Sequence, residues 1–174
     1  MRKRYLTLLI TALLFFAFFT GCSRPKETDP MMNYLGDYAY NESAICMVYE
    51  PVEGEQADDG SQLYGIQYRK ITDLDGLLAS GSTFLIYFYS SMEYGSADIT
   101  AVVEEMAYEY NGKLTVLMLD AVEYKDLMNK YEIEAVPDFV LVRAGKAEGK
   151  FGTTSYESWT LGDVILWLQQ KGVV

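Results

Sequence analysis

Cys22 and Cys46 are the only thiols in this sequence, and histidine is absent altogether. A thiol can attack a disulfide, hold a soft metal or accept a lipid, and its exposure and pKa decide which. Without histidine there is no Ser-His-Asp or Cys-His pair, and the commonest transition-metal ligand is missing. The other polar cluster with chemical potential is the turn Ser90-Ser-Met-Glu-Tyr-Gly-Ser96, where Glu93 is a candidate acid or base. Cys46 sits in Ala44-Ile-Cys-Met-Val48 and reads as a small hydrophobe rather than a reactive thiol.

The elements around the turn follow from periodicity. Phe84-Leu-Ile-Tyr-Phe-Tyr89 is an unbroken apolar and aromatic run, the pattern of a strand buried on both faces. Ile99, Val102, Val103, Met106 and Tyr110 then recur at helical spacing over 97–110, and Asn111-Gly112 closes that helix. A short strand over 68–72 and a helix over 73–79 precede the run. A strand over 114–120, a helix over 123–131 and strands over 139–143 and 147–151 follow it. Thr160 with Asp163 three residues on reads as a capping box opening the last helix, whose apolar face is Leu161, Val164, Ile165 and Leu168. Alternating strands and helices closed by a hairpin and a helix predict an α/β fold, a mixed sheet flanked by helices.

The first 22 residues stand apart. Arg2-Lys3-Arg4 followed by an apolar stretch from Leu6 to Phe19 reads as a secretory signal, too short for the ~20 residues of a spanning helix. Phe19-Thr-Gly-Cys22 resembles the bacterial lipobox, which implies that Cys22 is acylated and becomes the mature N-terminus of a lipoprotein anchored outside the cytoplasmic membrane. Cys46 is then the only free thiol, and no disulfide can form within the mature chain. Residues 23–65 read as a tether from Ser23 to about Asn33, with Pro25 and Pro30, followed by an acidic extension. Seven acids and no Lys or Arg fall between 31 and 68. Ala44–Tyr49 and Leu63–Tyr68 are β-like and suggest a hairpin there, with a partly disordered acidic segment as the alternative. The net charge is −11, and removing residues 1–22 takes away three bases and no acids, leaving −14. Such a surface does not suit nucleic acid, whose phosphates need clustered Lys and Arg.

Across roughly 66–174 the order and several motifs resemble thioredoxin. The run Phe84–Tyr89 resembles the family's central strand. Glu109-Tyr-Asn-Gly-Lys-Leu-Thr-Val116 resembles its helix end and following strand, and Lys130-Tyr-Glu-Ile-Glu-Ala-Val-Pro137 the stretch that carries its cis-proline. Ala144-Gly145 matches the hairpin turn. The resemblance implies a thioredoxin-like fold with its redox site at the turn after the central strand. There the family's two cysteines fall on Glu93 and Ser96, neither of which can attack a disulfide. The family's buried proton-carrying carboxylate falls on Tyr87. The resemblance further implies that the loop at Val136-Pro137 pairs with an extended peptide, with Tyr89, Met92, Tyr94 and Asp138 around it.

Three functions stay open at this level: a redox-inactive domain that binds a protein or extended peptide, a degenerate thiol–disulfide oxidoreductase using Cys46 or Glu93, and a structural subunit of an envelope complex that docks through 31–68. No cofactor, metal or nucleic acid is expected in the first.

Overall fold

The structure, a computed structural model, describes residues 29–92, 96–155 and 158–174, with side chains omitted at 96–98. The signal segment with Cys22, and residues 93–95 in the turn, lie outside it.

Among the described residues seven strands form one sheet: β1 (Leu35–Tyr38), β2 (Ala44–Gln56), β3 (Gln62–Ile71), β4 (Thr83–Tyr89), β5 (Thr115–Asp120), β6 (Asp138–Arg143) and β7 (Lys146–Phe151). Their order across the sheet is β1-β3-β2-β5-β4-β6-β7. Only β4 and β5 pair in parallel, and the rest of the ladder is antiparallel. The helices are α1 (Leu74–Ala79), α2 (Ser96–Glu109), α3 (Lys125–Lys130) and α4 (Leu161–Gln170). This is the mixed, helix-flanked sheet of a thioredoxin-like fold, and each element over 73–170 lies within a few residues of its expected place.

Strand β4 alternates between two cores. Leu85 and Tyr87 join Met106 of α2 and Leu168 of α4 on one face, while Phe84, Ile86 and Phe88 join Leu77 of α1 on the other. Burial on both faces is why this strand is a continuous apolar run. The capping box of α4 is present: the Thr160 backbone N–H and hydroxyl both donate to the Asp163 carboxylate, at 2.7 and 2.8 Å. Asp73 caps α1 by accepting from the Gly76 N–H at 2.9 Å.

The N-terminal region departs from expectation. The hairpin β2–β3 exists, but β2 is an interior strand, paired with β3 on one side and with β5 on the other through Ala44↔Leu119 and Cys46↔Leu117. Strand β3 runs continuously from Gln62 to Ile71, so a boundary at 65/66 cuts one strand in two. The tether also ends earlier than read. Pro30–Tyr34 form a 3-10 turn whose Met31 is buried in the core, and the Tyr34 ring lies so close over Gly76 that a Cβ there would meet it at 2.5 Å. Ala44, Ile45, Cys46 and Met47 complete both faces of the core, which binds this segment into the domain.

Candidate functional site

Three chain segments converge where β4 and β5 end. The Ala121 N–H donates to the Tyr89 carbonyl at 2.8 Å, continuing the parallel ladder past its last pair. Asp120 locks the two strand ends together: one carboxylate oxygen accepts from the Ser91 hydroxyl at 2.7 Å and the other from the Val122 N–H at 2.9 Å. The Ser90 hydroxyl accepts from the Met92 N–H at 3.2 Å and starts the turn. Beside this junction runs the Ala135–Asp138 loop, with a cis Val136–Pro137 bond as the family resemblance implied. The Pro137 carbonyl accepts from the Thr153 hydroxyl at 2.5 Å, which ties the loop to the segment after β7.

Between the loop and the strand ends lies a groove of about 490 Å³, lined by Ser90, Ala121, Val122, Met128, Ile133 and Val136 among others. Its lining is more apolar than polar, with Lys125, Asn129 and Glu134 among the polar members. Met92 stands at the turn with 80% of its surface exposed. Concave, mainly apolar surface with backbone nearby suits an extended segment carrying apolar side chains.

Of the residues singled out from sequence, Tyr89, Met92, Val136 and Pro137 share this end of the sheet. Tyr89 is half-buried, and burial first, then the nearby Asp120 carboxylate, raises its pKa. Glu93 and Tyr94 lie outside the described residues, as does the Ser96 side chain. Asp138 is withdrawn from the surface of the loop. Only 3% of it is exposed, and its carboxylate accepts from the Phe139 N–H at 2.9 Å, so it braces the loop from within. The aliphatic wall from α3 and Ile133 was not foreseen. Met128 and Ile133 carried only ordinary helix-face and core signals, and the groove they form depends on tertiary packing.

Two further positions bear on chemistry. Tyr87 is buried under α2, stacked on Phe139 at a centroid distance of 5.3 Å. Burial pushes its phenol up to about 12, partly offset by the Thr100 hydroxyl, so it stays protonated at neutral pH and cannot act as a base. Cys46 is 0% exposed in the core. Burial, then the Glu50 and Asp29 carboxylates, drive its thiol far above the ordinary range. A thiolate there is strongly disfavoured, so the native fold denies Cys46 the part of a lone nucleophile. Among the described residues no three Cys, Asp or Glu side chains are gathered to hold a metal ion.

Asp138 gives a pH signature. Burial raises its carboxyl to about 6, against the lowering effect of the Phe139 and Thr153 N–H groups and of Lys150. Folding therefore favours the protonated form. That contribution is complete below 3.8, the ordinary value of the free side chain, and is lost as pH rises through about 6. An Asp138→Asn variant should match wild type near pH 4 and exceed it by about 1–2 kcal/mol above pH 6.5, after discounting for solvent screening. Urea unfolding across that range reads the gap. Curves that stay parallel at every pH would contradict the assignment.

Residues 72–161, just over half of the chain, match the thioredoxin family model. The chain belongs to the thioredoxin family. Similar proteins include thioredoxin-T of Drosophila melanogaster, 25% identical over 83 residues that are 48% of this chain and 53% of that protein. The thioredoxin of Staphylococcus aureus is 31% identical over 83 residues, 47% of this chain and 79% of its own. The chain spans about half the length of the Drosophila protein and of the chloroplastic thioredoxins Y of rice and Arabidopsis thaliana that it also matches. A solved structure of a designed protein aligns over 56% of this chain and 82% of its own, with 20% identity and a TM-score of 0.47. Neither cysteine of this chain falls within the matched residues 72–161.

Proposed function

We propose that this protein is a membrane-anchored, redox-inactive thioredoxin-family domain that binds an extended peptide or protein segment outside the cytoplasmic membrane. Acylated Cys22 is the anchor, and the segment lies along the Val136-Pro137 loop beside the turn. In place of the family's dithiol stand Glu93 and Ser96, an acid and an alcohol that suit the start of a helix but exchange no electrons. The observation that carries this reading is the pairing of a groove lined by Val122, Ile133 and Val136 with the burial of the one cysteine the described residues hold. The binding surface and the thiol are separated, since Cys46 lies within the core between Leu117 and Arg69 on the neighbouring strands.

Insulin-disulfide reduction by wild type and a Cys46→Ser variant tests the absence of turnover. Both should stay at the uncatalysed baseline. A wild-type rate that the serine variant lacks would show that Cys46 performs redox chemistry and would replace this reading with the oxidoreductase one.

A further inference from the structure

A second recess of about 620 Å³ lies on the other side of the same strand ends, lined by Tyr40, Glu42, Tyr89, Ser91, Asp120 and Glu123 among others. It and the apolar groove are back to back. Ser90, Ala121 and Val122 line the groove, whereas their chain neighbours Ser91, Asp120 and Glu123 line the recess. Its outer wall comes from the connector between β1 and β2, held in place where the Asp120 N–H donates to the Ser43 carbonyl at 2.8 Å. That connector precedes the residues shared with the family model, so the recess is a feature of this chain's own N-terminal region.

The charge of the recess is compensated only in part. Glu42 is paired with Lys70 at 2.9 Å, but among the described residues neither Asp120 nor Glu123 pairs with a lysine or arginine. Asp120 is only 7% exposed, and its bonds to the Ser91 hydroxyl and the Val122 N–H supply no opposite charge. A carboxylate this far out of water gains from a cation that reaches it. The recess also offers the rings of Tyr40 and Tyr89, surfaces that attract a cation and cover an aliphatic stem.

We propose that this recess receives a lysine or arginine side chain of the bound segment, so that the partner carries a basic residue next to the apolar ones that enter the groove. The proposal rests on the groove reading above and adds its specificity. In an extended chain successive side chains point to opposite sides, which suits a ridge flanked by an apolar groove and an anionic recess. The mature charge of −14 draws basic segments towards this surface.

The test is a positional library of short cysteine-free peptides, each position carrying in turn lysine, arginine or acetyl-lysine, scored against the domain with residues 1–22 replaced by a soluble leader. At one position lysine and arginine should bind about ten-fold more tightly than acetyl-lysine. That preference should fall below about three-fold in a Tyr40→Ala/Glu123→Gln variant, both positions being exposed enough to leave the fold intact, and should weaken with salt. Peptide binding with no charge preference, or a preference the double variant keeps, overturns the recess and leaves the groove standing. No peptide binding at all overturns both.

Discussion

Trimming this protein to residues 66–174, the span that resembles thioredoxin, should yield a polypeptide that does not fold. The cut removes β2 from the middle of the sheet, and with it Ala44, Ile45, Cys46 and Met47, each at most 4% exposed. At roughly 1.5–3 kcal/mol for each large buried side chain, Ile45 and Met47 alone account for about 3–6 kcal/mol, a large part of the whole stability of a domain at about 5–15 kcal/mol. Strand β3 runs opposite to β2 and parallel to β5, since β3 and β5 are each antiparallel to β2, so it could close the gap only by a new parallel pairing. Its residues do not suit the position. Gln67, Arg69 and Lys70 would be carried towards core positions, and Arg69 would leave its two-oxygen pairing with Glu50 at 2.7 and 2.9 Å. Buried unpaired charge costs more than the strand pairing returns. Circular dichroism and a urea titration decide the point: the trimmed chain should show no cooperative transition, whereas a chain starting at residue 29 should. A cooperative, native-like 66–174 fragment would mean that β2 is dispensable.

The second large effect is a gain. Installing cysteines by Glu93→Cys together with Ser96→Cys should give the protein a reducible disulfide and a thiol-dependent insulin reduction well above the wild-type level. A thiol at the start of a helix in this spacing titrates near about 7 rather than 8.5, raising the thiolate fraction at neutral pH more than about ten-fold. The rate should stay modest, because Tyr87 holds its proton where a carboxylate would relay one. Mass spectrometry of alkylated oxidised and reduced protein reads the disulfide directly. If the two cysteines form none, the turn does not occupy the place assigned to it.

Much of this architecture was legible from local pattern. The run Phe84–Tyr89 announced a strand buried on both faces because nothing polar interrupts it, and Thr160 with Asp163 marked the start of α4 because the capping interaction spans three residues. The position of β2 was not legible. Its pairing with β5 joins residues 69 to 75 apart, from Met47↔Val116 to Ala44↔Leu119, and no short-range pattern distinguishes an interior strand from an added hairpin. The early end of the tether was hidden for a related reason, since Pro30 reads as linker while Met31 and Tyr34 find their partners only in α1 and the core. The resemblance put Asp138 around the peptide-pairing loop, and only the packing of β6 beside Thr153 buries it. The recess at Tyr40 depends on a connector folding back over the ends of β4 and β5, which composition does not disclose.

The account turns on one end of the sheet gripping an extended chain without exchanging electrons. Titrating isotope-labelled protein with a cysteine-free peptide that carries alternating apolar and lysine residues, followed by amide NMR, examines this directly. The shifts should concentrate at Ser90–Met92, Val122 and Ile133–Val136, with wild type and Cys46→Ser behaving alike. Shifts confined to the exposed end of the β2–β3 hairpin, over residues 53–64, would contradict the account and place the interface at the opposite end of the molecule.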